Sequence, residues 1–544
     1  MSLVKNLATV SGFTGISRIL GFVRDISIAV FVGAGPITDA FFVAFRLPNL
    51  FRRLFAEGAF NAAFVPLYAG KIEAEGAEAA QTFAEQTHAV MFTFMTVLTV
   101  AAMAAMPWVT YALAPGFEDS AAVALATMEW IELKPKGIEI PLPIPEGYIS
   151  KLEYAVPLTF IAFPYLFFMV LVALFSGMLN SLGRFAAAAG APILLNVFFI
   201  ITLIGIVPRV QDPGLALSWT VTAAGFGQLL LIYIALKRAG LRIKMRLPRL
   251  TSDVKTLMRR MVPGVLAAGA MQINVVIGTA ISTFHEAGVS FLYYAERVYQ
   301  LPLGMIGIAF GVVLLPELAR RLKADDHTGA MRTMNRGMEM ALLLTLPATV
   351  ALVVMPWPIV VTLFEYGKFT REASEATTFA LMAFASGLPA YVLVKILQPA
   401  FYAREDTVTP FKLAVVSILA NIGLSLVLFQ FMQHVGIALA TAISSWLNVL
   451  MLWIVLVRKE HIKLDGRFVS RLPKILAASV VMGGALWSGM RWLHPWFDGV
   501  LYEKVAALSV LIGGGMLSYT LLTLMLGAVR PSDFSDMFRR KKSH

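Results

Sequence analysis

Cysteine is absent from this chain, which excludes disulfides, thiolate nucleophiles and thiolate metal sites. Charge is scarce as well: Asp, Glu, Lys and Arg make up 14% of 544 residues, where a soluble domain has about 25%. No GxxxxGK[S/T] loop occurs; Gly70-Lys71 and Gly367-Lys368 stand without the rest of that motif, which argues against ATP hydrolysis. Asp325-Asp326 is the one paired aspartate and lies in a charged loop, too little for a metal-dependent phosphotransferase, so no enzyme is expected. The N-terminus, MSLVKNLATVSGFTG, lacks an apolar core followed by a small-residue cleavage site, so no cleavable signal is expected. The histidines (His88, His285, His327, His434, His461, His494 and His544) fall mostly at expected helix ends or in loops, and no pair has metal-ligand spacing on one helix.

What is present is apolar: 58% hydrophobic residues and a mean hydropathy of +0.75. Runs long enough to cross a bilayer predict an all-α polytopic membrane protein. Fourteen spanning helices are expected, at 7–32, 37–67, 84–113, 157–180, 187–207, 214–236, 255–284, 290–319, 337–364, 374–402, 408–430, 435–457, 474–492 and 504–528. Lys237, Arg238, Arg242, Lys244, Arg246 and Arg249 follow the sixth. Arg458, Lys459, Lys463, Arg467, Arg471 and Lys474 follow the twelfth, and the tail 529–544 is basic. The alternate-side loops outside 118–156 hold only Arg209, Lys368, Arg371, Arg491 and Lys504, so both termini are expected in the cytoplasm. The net charge of +12 then reflects cytoplasmic loops facing anionic lipid, not nucleic acid.

One stretch breaks the apolar pattern. Residues 17–57 carry Arg18, Arg24, Asp25, Asp39, Arg46, Arg52, Arg53 and Glu57 inside otherwise membrane-like sequence. Each charge at mid-bilayer costs roughly 2.5–3.5 kcal/mol on insertion scales, so the set is expected to line a polar cavity. Ser17 and Arg24 share a helical face, as do Arg18 and Asp25. Arg46, Asn49, Arg53 and Glu57 form one stripe, with Asp39 a heptad before Arg46 and Arg52 beside it. Internal ion pairing explains single charges, but five arginines against three acids leave a cationic surplus suited to an anion, and guanidinium suits phosphate. A second cluster, FLYYAERVYQLP (291–302), sets Glu296 and Arg297 among tyrosines; Lys395 is similar. An aromatic belt with a snorkelling arginine is the plainer alternative there.

The chain repeats itself. FVPLYAGKIEAEG echoes LLPELARRLKADD, MPW recurs at 106–108 and 355–357, and FPYLFFMVLVALFSGMLNSLGRF echoes LPAYVLVKILQPAFYARED, pairing Pro164 with Pro389 and Arg184 with Arg404. Duplication predicts two pseudo-symmetric six-helix lobes, 1–236 and 255–457, around a central cavity. A basic loop, 237–254, joins them, two C-terminal helices occupy 458–528, and a tail follows. The partners' offset shortens between Trp108 and Pro164, where the first lobe carries extra residues. They coincide with 128–156, rich in charge and in Pro135, Pro141, Pro143 and Pro145; extended structure is expected there. A tolerated loop is the plain reading; a foreign segment or a partner-binding hairpin are the others.

The motifs SRILGFVRD, GAGPITDAFFVAFRLPNLFRRLFAEGAFNAAFVP, YYAERVYQLPLGMIGIAFGVVLLPELAR and FEYGKFT…VKILQPAFYAREDTVTP resemble the MurJ family of lipid II flippases, in the MOP (MATE-like) superfamily. The resemblance runs through nearly the whole chain except 128–156. It implies two lobes about a cationic cavity and export of undecaprenyl-pyrophosphate-linked disaccharide pentapeptide across a bacterial inner membrane by alternating access. The family's lumenal arginines match Arg18, Arg24, Arg52 and Arg297, and a functional acid matches Asp39. The last two helices correspond to a groove for the lipid tail. No cofactor is implied; coupling is to membrane potential, and to sodium in some members, for which Asp253 and Asn421 are weak ligands. Lipid II, membrane lipids and cell-wall synthesis proteins are the partners in view, with a monomer expected. The alternatives are an exporter of another polyprenyl-linked glycan, a cation drug antiporter, which the cationic helices disfavour, and a non-transporting cell-wall scaffold.

Overall fold

The computed structural model describes residues 3–56, 59–117 and 150–529. Most of the proline-rich segment, Glu57 and the basic tail therefore lie outside the described residues, and Arg53 is described in its backbone only. The described residues are helical almost throughout, with no strand among them. Nine described helices are long and apolar enough to cross a membrane. Leu3–Phe31 and Pro36–Ala56 are not among the nine, and these are the helices interrupted by charge. Their outward surfaces are those of a membrane protein: Phe94, Val97 and Val100 on one helix and Leu419, Leu426 and Val427 on another are all more than half exposed, apolar runs that water would not tolerate.

Several expected spans are subdivided, each for a local reason. The expected 37–67 is two helices, Pro36–Ala56 and Ala59–Glu75. The expected 84–113 divides into Ala77–Ala104 and Met106–Leu113, because Pro107 lacks the N–H that would continue the ladder and so starts a new helix. Its repeat partner behaves alike: His327–Val354 stops and Pro356–Phe364 begins. Lys151–Ala162 and Tyr165–Ser181 break at Pro164, and Arg371–Ser386 and Leu388–Tyr402 break at Gly387 before Pro389. Both of these helix pairs end in a left-handed residue, Gly183 (φ 71°) and Glu405 (φ 61°). The turns thus correspond at Gly183 and Glu405, which moves the expected Arg184–Arg404 match by two residues.

Val408–Arg458 is continuous for 51 residues except at Gln433 (φ 49°, ψ −132°). At 1.5 Å per residue this is about 76 Å, more than twice the ~30 Å hydrocarbon core, so the chain reverses at Gln433. The turn is tight enough that a Cβ on Gly436 would lie 2.4 Å from the Leu428 carbonyl oxygen.

The helices gather into two compact units, 1–290 with 366–369, and 291–365 with 370–544. In the first, Leu3–Phe31 packs along Ala186–Ile201, while Pro213–Arg238 covers Tyr165–Ser181. Phe41, Phe45, Tyr165 and Phe199 form its aromatic centre, with ring centroids 5.9–6.3 Å apart. Ser252–Ser282, which the repeat makes the first helix of the second half, packs on Pro36–Ala56 and Ala59–Glu75 within this unit. In the second unit, Leu318, Met334, Ile396, Leu452 and Phe468 meet in a buried core, and His327–Val354, Gly466–Phe497 and Leu501–Met525 lie side by side.

Candidate substrate site

In the first helix the arginines differ sharply. Arg18 is exposed. Arg24, seven residues on, is only 11% exposed. Its Nε and Nη2 donate to the Asp25 carboxylate at 3.0 and 2.7 Å, its Nη1 donates to Asn196 Oδ1 at 3.1 Å, and its guanidinium lies 5.5 Å from the Phe199 ring centre. Ser17 joins the group through its backbone, where its carbonyl accepts from Asn196 Nδ2 at 2.9 Å. The structure therefore brings Ser17, Arg24 and Asp25 together; Arg18 and Asp25 keep their seven-residue spacing on one continuous helix, while the ion pair that forms is between the neighbours Arg24 and Asp25. One edge of the guanidinium, Nε–H and Nη2–H, meets a single Asp25 oxygen.

In the second helix, Asn49 and Arg52 form a unit: Arg52 Nε and Nη2 donate to Asn49 Oδ1 at 3.2 and 3.1 Å. Asp39 and Arg46 do not pair across their heptad. Asp39 is fully buried and its Oδ1 accepts the Ser290 N–H at 2.8 Å and the Ser290 hydroxyl at 2.5 Å. Arg46 donates from Nε to Thr279 Oγ1 at 2.8 Å. Asp39 thus acts as a side-chain acceptor for the first turn of Gly288–Lys323, a position where free N–H groups favour an anion.

The second unit holds the other cluster. The Arg297 guanidinium sits 4.4 Å from the Tyr293 ring centre, stacked one turn away, and donates to Gln300 Oε1 at 3.4 Å. Glu296 accepts from Gln300 Nε2 at 2.6 Å. Gln300 therefore binds both charged residues. Lys395 lies exposed on Leu388–Tyr402.

The sodium-ligand candidates belong to different units. Asp253 pairs with Lys71 at 3.0 Å, and Asn421 is buried in another unit. Among the described residues no group of three His, Asp or Glu side chains converges. The contacts that spacing alone did not supply are Asn196, Thr279, Ser290 and Gln300. Asn196 and Gln300 carried a signal, each being an uncharged polar residue inside an apolar run; Thr279 and Ser290 did not, since both sit near expected helix ends.

The chain superposes with TM-score 0.72 on the solved structure "Lipid II flippase MurJ, inward closed conformation", at 22% identity over 95% of this chain and 98% of that one. An inward-facing multidrug resistance MATE transporter of the MOP superfamily gives 0.62 at 15% identity, over 82% and 95%. With arginines set into apolar helices, this chain is a multi-pass membrane protein of the class with a MATE-like fold. Within that class, the family model "Lipid II flippase MurJ" matches residues 28–132 and 145–506, interrupted inside the proline-rich segment. The "Probable lipid II flippase MurJ" of Rhizobium tropici is 41% identical over all of this chain and 98% of its own length. That of Rhizobium meliloti (strain 1021) is 44% identical over all of this chain and 97% of its own. The chain belongs to the MurJ family.

Proposed function

We propose that this protein flips lipid II, the undecaprenyl-pyrophosphate-linked peptidoglycan precursor, from the inner to the outer leaflet of the bacterial cytoplasmic membrane. It is a transporter and not an enzyme: no bond of the substrate changes. Arg18, Arg24, Arg52 and Arg297 bind the pyrophosphate, the headgroup crosses by alternating access through a central cationic cavity, and the polyprenyl tail stays in lipid, held along the last two helices. Membrane potential drives the cycle, fourteen crossings leave both termini in the cytoplasm, and the chain works as a monomer. The observation that carries this reading is Arg24, a guanidinium buried inside an apolar helical unit and held by a mixture of charged and neutral acceptors. Ionisable residues inside membrane helices mark substrate pathways, and Arg24 keeps neutral as well as charged partners around it.

Complementation in cells depleted of their own flippase tests the reading. Arg18→Ala, Arg24→Ala, Arg52→Ala or Arg297→Ala inserts normally but fails to support growth, and native mass spectrometry shows lipid II lost from Arg24→Ala. Normal growth of all four variants would overturn it. A cation antiporter, the other activity common on this fold, is disfavoured because these groups repel its substrate.

A further inference from the structure

Asn196 is an asparagine within the apolar run APILLNVFFIITLIG and is only 5% exposed. A buried primary amide is tolerated when both ends find partners. Here both do, and both partners lie on Leu3–Phe31. The amide Nδ2 donates to the Ser17 carbonyl at 2.9 Å, and Oδ1 accepts from Arg24 Nη1 at 3.1 Å. Only one orientation works: turned over, the amide would set its NH2 against the guanidinium and its oxygen against a carbonyl. The approach depends on Gly21, which lies between the two contacts on the same helical face; a Cβ there would already be 3.6 Å from Asn196 Nδ2. Phe199, three residues further along the helix carrying Asn196, supplies the ring beside the guanidinium.

We infer that Asn196 is a positioning residue for the anion-binding Arg24, fixing the direction of its guanidinium for a polyprenyl diphosphate. This assignment rests on the transport reading above. The chemistry explains why an amide stands there. Asp25 already sets one negative charge against Arg24. A neutral acceptor holds a second N–H edge without cancelling the remaining attraction for an anion. A carboxylate at 196 would make the Arg24–Asp25–196 group net negative and turn it against a diphosphate. Losing the amide altogether would remove the hold on Nη1 and leave the guanidinium less closely directed, and a bidentate contact depends on its orientation.

The test uses the purified full-length chain, with undecaprenyl pyrophosphate and lipid II as probes in native mass spectrometry and thermal unfolding measured in parallel. Asn196→Asp keeps the shape and changes the charge; Asn196→Ala removes both contacts. Each is expected to weaken retention of both probes, by about tenfold, the worth of one hydrogen bond to a charged group. Asn196→Asp also sets an oxygen against the Ser17 carbonyl, so a lower unfolding midpoint is expected for both variants, and the Arg24→Ala background separates that structural cost from the effect on binding. In an Arg24→Ala background Asn196→Ala should not lower the residual retention further, because it acts through Arg24, whereas Asn196→Asp still adds its charge. Wild-type retention by both Asn196 variants would overturn the assignment while leaving the transport reading intact. So would an equal loss from Asn196→Ala in the Arg24→Ala background, which marks a purely structural role. A wild-type chain that retains neither probe would overturn the transport reading itself, and this assignment with it.

Discussion

Asp39 takes two donors on a single oxygen, the Ser290 N–H and the Ser290 hydroxyl. Removing the acceptor and removing one donor are unequal changes. Asp39→Ala leaves a buried N–H and hydroxyl without their partner, at a cost of about 1–3 kcal/mol for each orphaned group. Ser290→Ala removes only the hydroxyl and keeps the backbone bond. Thermal unfolding in detergent should therefore show a larger fall for Asp39→Ala than for Ser290→Ala; equal falls would contradict the backbone contact. The residue scale is also where the sequence was least legible. Helical spacing put Ser17 and Arg24 on one face, but not the partners that meet that face. Arg24 and Asn196 are separated by 172 positions, Arg46 and Thr279 by 233, and Asp39 and Ser290 by 251. Periodicity reports which residues leave a helix together; what they touch is decided by tertiary packing.

Among the elements, the turn between Val408–Arg458 and Gly466–Phe497 carries a pH response. Burial, then the cations Arg404 and Lys459 and the neighbouring His327, push the His461 imidazole below its ordinary value, against a smaller opposing pull from Asp406. The unfolded turn thus binds a proton more readily than the folded one. The stability held in His461 is fully present above the ordinary histidine value of about 6.5 and is lost as pH falls below it. Asp406 does not share this window, because the Thr409 N–H and hydroxyl, with Lys459, hold its carboxyl down to about 2. Hydrogen exchange over 459–465, corrected for intrinsic rates, should show greater opening at pH 5.5 than at pH 7.5 in the wild type and no such difference in His461→Gln. A second element is a strap: Glu85 accepts from Arg246 Nε at 2.6 Å and from the Lys244 N–H at 3.2 Å, while Gln81 donates to the Arg242 carbonyl at 2.6 Å. Glu85→Gln should weaken this hold, and a fluorophore placed at Leu247 should gain mobility measurable by anisotropy; unchanged anisotropy would count against it. Elements were far more legible than contacts. Apolar runs located the long helices, and the MPW repeat marked equivalent breaks before Pro107 and Pro356. The runs also separated 408–430 from 435–457, and the structure reverses between them, at Gln433.

For the whole molecule, the absence of cysteine becomes an experimental asset. Single cysteines can be introduced without background, so orientation is directly readable. Arg242→Cys should react with membrane-permeant reagents only, and Lys368→Cys with impermeant reagents added to the outside of intact cells. The reverse pattern would overturn cytoplasmic termini. The reversal at Gln433 bears on how so large a structure can move. Residues on either side of it belong to two long rods joined by a hinge one residue long. A joint that short leaves the two rods little room to turn independently, and the Ser417 hydroxyl ties them by donating to the Ser444 carbonyl at 2.7 Å. The connection 241–251 is longer but is tied down by Glu85 and Gln81, so both joints restrain the helices they link.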